Sequence, residues 1–516
     1  MSKLKSLAGQ TAIYGLSSII GRMLNYLLVP LYTYAIFTPD EYGVVTELYA
    51  YVTFLLVIYT YGMETGFFHF SNRESDSRKV FSTSFNSLLI LSGLFSGIIF
   101  LLAPNIATTL SYPQHPEFFQ YIALTLAFDT LATVPFAQLR KDARPKKFAL
   151  IKISNILINI GFNLFFLIAC PAILASSAWS ALHPFINAVY NPETGVGYVF
   201  LSHLLASAFT LPMLWKEISR LRAWIDLPLL RKMLIYCSPL VIVGFAGMIN
   251  ETIDRILLKY LLPGDTEYRL AQLGIYGACY KLSIFMTLAI QSFRMGAEPF
   301  FFAQFKEQDA QQTYAKVMRY FAILGCFIFL VVVLYIDIAK FIIGPDYRSG
   351  LVIVPILLLA NLFLGMYYIL SIWYKATDRT RYGALISVMG AIITLGLNIS
   401  LIPVIGYMAA AWATLAAYGS MAIAGYFLGQ RFYPVPYPVF TILAYVAFAL
   451  LLFFISLGIS QIVFSAGFVR EGLNIWMLII NTGFLAIFVA VVFGIERKNL
   501  RLSGNNFPKP KDQNDQ

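Results

Sequence analysis

About fourteen long apolar segments, distributed along the whole chain, restrict this sequence to one class of structure. Each holds about twenty residues, which is the length that an α-helix needs to cross the hydrocarbon core of a bilayer. Hydrophobic residues make up 59% of the chain and charged residues only 12%, whereas a soluble domain carries about 25% charged residues. The sequence therefore predicts an all-α polytopic membrane protein.

The boundaries of the predicted spans follow from the apolar runs between polar segments. They lie at residues 8–36, 43–70, 80–102, 117–139, 148–170, 197–214, 233–262, 272–302, 316–343, 351–374, 382–402, 407–429, 438–463 and 474–495. We expect the first, second, seventh and eighth spans, which are long, to tilt or bend.

The basic residues predict the orientation of these spans. If the N-terminus is cytoplasmic, 28 of the 37 Lys and Arg residues fall on the inner side and only 5, Lys259 among them, in outer loops. This bias is the positive-inside rule, and it predicts that both termini lie in the cytoplasm. It also accounts for the net charge of +11 without a nucleic-acid partner. Tyr367 and Tyr368 near a span end fit an interfacial aromatic belt.

The longest charged inner connection, Trp215–Lys232, separates six spans from eight. A weak internal repeat supports a boundary there, because GMETGFF at 62–68 ends the second span and GAEPFF at 296–301 ends the eighth. Two parallel repeats of six spans are typical of transporters. The predicted parts are an N-terminal bundle (1–215), a linker (216–232), a C-terminal bundle (233–430), two further spans (431–495) and a disordered tail (496–516).

The seventh predicted span, Pro239–Leu262, is too polar to face lipid. Its middle carries Asn250, Glu251, Asp254 and Arg255, and each ion near a bilayer centre costs roughly 2.5–3.5 kcal/mol. At 100° per residue these side chains cover an arc of about 140°. We therefore predict that this face lines a cavity, and that Glu251 pairs with Arg255 one turn away.

Several motifs resemble those of one transporter family. TPDEYG at 38–43, YGMETGFFHF at 61–70 and LRKDARPKKFALIK at 139–152 are similar to the polysaccharide (O-antigen and exopolysaccharide) repeat-unit flippases. That family belongs to the multidrug/oligosaccharidyl-lipid/polysaccharide (MOP) superfamily, with the MATE exporters and the lipid II flippases. The resemblance implies two pseudo-symmetric six-helix bundles around a central cavity, plus two C-terminal helices.

The resemblance also implies a function and a location. Such a protein moves oligosaccharide repeat units linked to undecaprenyl pyrophosphate from the cytoplasmic to the periplasmic leaflet of the bacterial inner membrane, by alternating access. A polysaccharide polymerase is then a possible partner. No cofactor is expected, and the four His and four Cys residues show no metal-binding spacing.

Four basic residues inside predicted spans are candidates for binding a diphosphate headgroup. They are Arg22, Arg255, Lys281 and Arg294, with Asn250 as a neutral donor. Arg suits this role because its planar guanidinium donates two parallel hydrogen bonds to phosphate oxygens. The alternative is that these bases form structural ion pairs with the acids of the spans.

Three acidic residues are candidates for ion coupling or gating. Glu251 and Asp254 share a helix with a candidate substrate ligand, and Asp129 lies in the middle of the fourth span. Binding of H⁺ or Na⁺ to such a group would change the charge of the cavity. The membrane potential is a third possible energy source.

Two other function classes stay open. A MATE-type cation-coupled exporter of drugs or metabolites would have the same fold, but a cationic cargo needs a carboxylate-rich cavity and the first span offers Arg22. A membrane enzyme acting on the same lipid needs a large catalytic loop. The largest predicted outer loop, 171–196, carries only Glu193 and His183, so a transporter is preferred to an enzyme.

Overall fold

The computed structural model describes residues 15, 19–21, 23–74, 76–221, 224–304, 309–377, 379–464, 467–469 and 472–504. For residues 295–300, 302–304, 464 and 498–504 it describes the backbone alone. All regular secondary structure within these ranges is helical. The predicted all-α class is therefore confirmed.

Fourteen helices of the described chain match the fourteen predicted spans one for one. Thirteen are long and apolar enough to cross a membrane, and the sixth is apolar but shorter. They are α1 Ile19–Ile36, α2 Pro39–Ser71, α3 Ser77–Thr109, α4 Pro116–Lys141, α5 Pro145–Ala175, α6 Gly197–Met213, α7 Leu227–Leu261, α8 Thr266–Arg294, α9 Ala310–Leu334, α10 Pro345–Ala376, α11 Thr380–Ile405, α12 Tyr407–Phe432, α13 Val439–Val463 and α14 Ile475–Arg497.

Polar caps decide where several of these helices begin. At the start of α2, Thr38 and Glu41 form a capping box, in which the side chain of each residue accepts a hydrogen bond from the backbone amide of the other. At the start of α7, the Asp226 carboxylate accepts a hydrogen bond from the Leu229 amide at 2.7 Å. The capping residues lie outside the apolar runs from which the spans were predicted. Helices such as α3 are therefore longer than the predicted spans.

The helices pack as two groups, which we call the N-terminal bundle (α1–α6) and the C-terminal bundle (α7–α12). In the first, α3 packs on α4, and α6 on both α4 and α5. In the second, α11 packs on α7 and α12, and α10 on α9 and α12. The residue boundaries predicted for these parts stay predictions.

The last two helices pack on α9 of the C-terminal bundle. Glu496 on α14 pairs with Arg319 on α9 at 3.1 Å and accepts a hydrogen bond from Tyr445 on α13 at 2.7 Å. The helix that contains α14 runs from Ile475 to Gly504, so it includes the first part of the segment predicted to be a disordered tail. Residues 505–516 lie outside the described residues.

The bundles meet where α2 contacts α7 and α8. At the end of α2 predicted to face the periplasm, the two backbones nearly touch: a Cβ on Gly43 would lie 2.0 Å from the Leu270 carbonyl oxygen. On the α8 side, a Cβ on Gly274 would lie 1.8 Å from the Pro39 carbonyl oxygen. Only glycine permits this approach, which closes the cavity on that side.

Two of the four spans expected to tilt or bend, α2 and α8, contain a break in the helix. In α2, Tyr61 and Gly62 both have left-handed backbone angles (φ 32° and 73°). In α8, a 3₁₀ turn at Lys281–Ser283 separates Thr266–Tyr280 from Ile284–Gln304, and such a turn within a helix often marks a hinge. The seventh span is instead one continuous helix of 35 residues, in spite of Pro239.

Candidate functional site

A cavity of about 450 Å³ lies between α2 of the N-terminal bundle and α7, α8, α10 and α12 of the C-terminal bundle. Thr46 and Gly277, at the close contact of α2 and α8, form its predicted periplasmic end. The cavity therefore lies on the predicted cytoplasmic side of that contact.

Three of the predicted substrate-binding residues line this cavity: Arg255, Lys281 and Arg294. Lys281 is the first residue of the 3₁₀ turn that interrupts α8. Arg255 and Lys281 are close enough for their positive charges to repel. An anion bound between the two side chains would offset this repulsion.

Aromatic faces hold both guanidinium groups. The Arg255 carbon Cζ lies 4.4 Å from the ring centroid of Tyr280, and that of Arg294 lies 4.1 Å from the centroid of Tyr368. A cation–π contact orients the plane of a guanidinium and leaves the N–H groups on its edge to bind a ligand. Within the described residues, Arg294 has no carboxylate within ion-pair distance.

Glu251 is the one carboxylate among the residues described as lining the cavity. In place of the predicted Glu251–Arg255 pair, Arg255 donates from Nη1 to the backbone carbonyl of Glu251 at 2.7 Å and lies 3.6 Å from Asp254 Oδ1. Asp254 is the better partner because its carboxylate is buried beside the guanidinium, whereas Glu251 is exposed to the cavity. The cavity thus presents three cations and one carboxylate.

Asn250 and Asp254 do not line the cavity, although both lie on the polar face predicted for α7. Asn250 donates to the Ser387 carbonyl at 3.0 Å and accepts from the Thr394 hydroxyl at 3.1 Å, both on α11. Asp254 accepts a hydrogen bond from the hydroxyl of Tyr276 on α8. In this structure the Asn250 side chain therefore joins α7 to α11, and its predicted role as a substrate ligand stays a prediction.

The remaining two predicted residues lie elsewhere. Arg22 falls outside the described residues. Asp129 lies inside the N-terminal bundle, where it accepts a hydrogen bond from Ser207 at 2.7 Å and lies 3.7 Å from His203. Within the described residues, no group of three or more His, Cys, Asp or Glu side chains is arranged to hold a metal ion.

A buried ion pair between the bundles was not predicted. Lys259, assigned to an outer loop from sequence, is only 4% exposed and lies 2.9 Å from Glu47 on α2, which is fully buried. Tyr112 also donates to Glu47, and Lys259 donates to the Leu110 carbonyl at 2.7 Å. The signal that could have found this pair is that Glu47 lies inside a predicted span and needs a cation.

Comparisons with known proteins agree with this architecture. A family model described as polysaccharide biosynthesis protein matches residues 35–348. A search of curated protein sequences returned no match. Among solved structures, the chain resembles the lipid II flippase MurJ in an inward closed conformation, with a TM-score of 0.68 and 12% identity over 93% of this chain and 98% of that one.

Two transporters of the MATE family are also similar. One is an inward-facing multidrug resistance transporter of the MOP superfamily, with a TM-score of 0.59 and 10% identity over 82% of this chain and 94% of that one. The other is the MATE multidrug transporter DinF-BH, with a TM-score of 0.58 and 15% identity over 84% of this chain and 96% of that one. At these identities the likeness concerns the fold, and it confirms the predicted fold class.

Proposed function

This chain belongs to the polysaccharide biosynthesis protein family, as its motifs predicted, and on that premise we propose that it is a flippase for lipid-linked oligosaccharides. Its cargo is an oligosaccharide repeat unit on undecaprenyl pyrophosphate. It carries this cargo from the cytoplasmic to the periplasmic leaflet of a bacterial inner membrane, for the synthesis of O-antigen, capsule or exopolysaccharide.

The observation that carries this proposal is the charge of the cavity. Arg255, Lys281 and Arg294 outnumber Glu251 in the described lining and Asp254, which pairs with Arg255 behind it. The site therefore attracts an anionic headgroup and repels a cationic one. A diphosphate needs several donors in a site of low dielectric constant, where charge-assisted hydrogen bonds are strong. The two guanidinium groups and one ammonium supply them.

Aromatic side chains around these cations suit the sugar that follows the diphosphate. Tyr280 and Tyr368 already contact the guanidinium groups, and Tyr42, Tyr49 and Tyr418 complete the wall. A volume of about 450 Å³ is in the range of small-ligand sites. It accommodates the diphosphate and the sugars nearest to it, while the lipid tail stays in the bilayer.

Alternating access explains how such a cavity would transport its cargo. The glycine contact of α2 and α8 and the ion pair of Glu47 and Lys259 close the predicted periplasmic side. Opening this side, with closure of the other, would release the headgroup into the periplasm. A polysaccharide polymerase would then use the delivered repeat unit.

A MATE-type exporter is the alternative, because MATE transporters share the fold. Deletion of the gene in its host separates the two. A flippase mutant loses surface polysaccharide and accumulates lipid-linked repeat units on the cytoplasmic side, whereas an exporter mutant keeps its polysaccharide and becomes sensitive to drugs.

Complementation of the deletion tests the site itself. The wild-type chain should restore surface polysaccharide, and the double variant Arg255→Gln/Lys281→Gln should not. Arg381→Gln is the matched control, because Arg381 is exposed at the start of α11 and does not line the cavity. Normal polysaccharide in the double variant would contradict the proposal.

A further inference from the structure

A second polar cluster lies inside the N-terminal bundle, beside the cavity. His203 on α6 has one ring nitrogen, Nδ1, 3.4 Å from the hydroxyl of Tyr49 on α2, and the other, Nε2, 3.7 Å from Asp129 Oδ2 on α4. Asp129 Oδ1 accepts a hydrogen bond from Ser207 at 2.7 Å. Tyr49 also lines the central cavity, so the cluster runs from the cavity wall into the bundle.

We propose that His203 and Asp129 together bind the proton whose movement drives transport, and that Tyr49 connects this site to the cavity. The inference rests on the flippase function proposed above. It names the proton as the energy source and places its site in the N-terminal bundle, whereas the basic side chains for the substrate lie in the C-terminal bundle. It also adds two residues, His203 and Tyr49, to the predicted Asp129.

The contacts of the His203 ring suit a site that gains and loses a proton. With a neutral ring, Nε2–H faces Asp129 and Nδ1 accepts from the Tyr49 hydroxyl. With a protonated ring, both nitrogens are donors, so Nδ1–H faces the Tyr49 oxygen and the Tyr49 proton is free to point into the cavity. Both ring nitrogens face a partner whether the ring is neutral or protonated. Protonation reverses the direction of the hydrogen bond between His203 and Tyr49.

The charge of the cluster also favours a proton. Asp129 is 13 residues from the first residue of α4, far from either membrane surface, where a lone carboxylate is costly. An imidazolium beside it makes the His203–Asp129 pair neutral, and Lys152 on α5 partly compensates Asp129 when the imidazole is neutral. The side chains of His203 and Asp129 are 28% and 38% exposed, so protein does not enclose the pair completely, and intramembrane His and Asp residues commonly form proton relays.

The ligand set fits a proton better than a metal cation. Hard cations prefer six or more oxygen ligands, whereas this cluster offers one carboxylate, two hydroxyls and an imidazole. Lys152 on α5 also interacts electrostatically with Asp129, and its positive charge disfavours a second cation there. Among the described residues, the titratable groups in contact or electrostatic interaction with the pair include Tyr49 from α2 and Lys152 from α5.

The direction of coupling follows from the direction of transport. Suppose that protons enter the cell as the cargo leaves. The empty protein then takes up a proton on the periplasmic side. It carries this proton back to the state described here, in which the periplasmic side is closed. Protonation of His203 should therefore favour closure of the periplasmic side. Tyr49 transmits the change, because α2 also forms the contact with α8 that closes this side.

A substrate-free measurement tests this assignment in the full-length protein. Spin labels are attached to cysteines at Glu193→Cys and Glu267→Cys, two exposed positions at the predicted periplasmic ends of the two bundles. The four native cysteines are buried, which keeps the labelling specific. Lowering the pH from about 8 to about 5.5, across the range in which His titrates, should shift the distance distribution toward the shorter, closed state.

Variants then locate the response. His203→Gln and Asp129→Asn should abolish the shift, whereas His183→Gln, in an outer loop, should leave it intact. The proposal is overturned if His203→Gln responds like the wild type, if the wild type does not respond, or if Na⁺ at constant pH produces the shift. Because no cargo is present, these outcomes do not depend on the proposed function.

A transport experiment separates the two proposals. In vesicles, the wild type should move undecaprenyl-pyrophosphate-linked oligosaccharide at least about tenfold faster when the destination side is acidic, and His203→Gln should lose this stimulation. Movement without any effect of the pH gradient would overturn the proton site and leave the flippase function standing. If the wild type moves no such lipid under any gradient, the flippase function fails, and the spin-label result still decides whether the proton site exists.

Discussion

Lys259 on α7 and Glu47 on α2 form a buried ion pair that joins the two bundles, with 2.9 Å between Nζ and the carboxylate oxygens. Tyr112 and the Leu110 carbonyl satisfy the remaining hydrogen bonds of the pair. Because desolvated charges are stable only with such partners, we expect this contact to hold the predicted periplasmic side closed.

Removal of one partner should therefore destabilise the protein strongly. Lys259→Met leaves the Glu47 carboxylate buried without a cation, and breaking a buried pair in this way costs about 3–5 kcal/mol. Thermal unfolding of the purified protein in detergent should show a large decrease in Tm. The double variant Glu47→Gln/Lys259→Met should recover most of this loss, and Lys316→Met, at an exposed position, is the control. Equal Tm values for the single and double variants would refute the account of this pair.

The close contact of α2 and α8 makes a separate prediction. A Cβ on Gly274 would overlap the Pro39 carbonyl oxygen, so Gly274→Ala should force the periplasmic ends apart. A cysteine in the cavity at Thr53→Cys should then react several-fold faster with a membrane-impermeant thiol reagent added from the periplasmic side. Gly247→Ala is the matched control, since nothing lies within 4 Å of its Cβ position. Unchanged labelling in Gly274→Ala would show that this contact does not close the cavity.

The Tyr368 ring should contribute to headgroup binding through Arg294. Tyr368→Leu removes the aromatic face 4.1 Å from the guanidinium, and a cation–π contact is worth about 0.5–2 kcal/mol. The affinity for undecaprenyl pyrophosphate, measured by calorimetry, should fall by a factor of about 2–30, since about 1.4 kcal/mol is tenfold. Tyr368→Phe keeps the face and should bind like the wild type. An equal loss in both variants would assign the effect to the hydroxyl.

Asn250 should affect stability and not substrate affinity. Asn250→Leu leaves the Ser387 carbonyl and the Thr394 hydroxyl without their partner, and an unpaired buried polar group costs about 1–3 kcal/mol. We expect a lower Tm with an unchanged dissociation constant for the headgroup. A weakened affinity at unchanged Tm would instead support Asn250 as a substrate ligand.

The fold and part of the site were predictable because their signals are local. Hydropathy identified all fourteen spans, and charges inside spans pointed to Arg255, Lys281 and Arg294, which the structure brings together in one cavity. A charged residue that cannot face lipid must face protein or water. This inference requires no knowledge of which helices are neighbours.

The rest depended on tertiary contacts. The phase of a helix places Asn250 and Glu251 on one polar face, but only the position of α11 shows that Asn250 is covered while Glu251 faces the cavity. Lys259 lies at the end of an apolar run, and its partner Glu47 is 212 residues away in sequence. Tyr368 was predicted to be an interfacial belt residue. It lies in the cavity wall, which only the packing of α10 against the other helices shows.

The most direct test of the central claim is a binding measurement with two lipids that differ only in charge. The purified protein is titrated with undecaprenyl pyrophosphate and with the uncharged undecaprenol. A hydrogen bond to a charged group is worth about 1.5–3 kcal/mol, so Arg255→Gln, Lys281→Gln and Arg294→Gln should each weaken binding of the diphosphate by at least about tenfold, with Arg381→Gln as the control. Equal affinity for the two lipids, or diphosphate binding that survives all three substitutions, would contradict an anionic-headgroup site in this cavity.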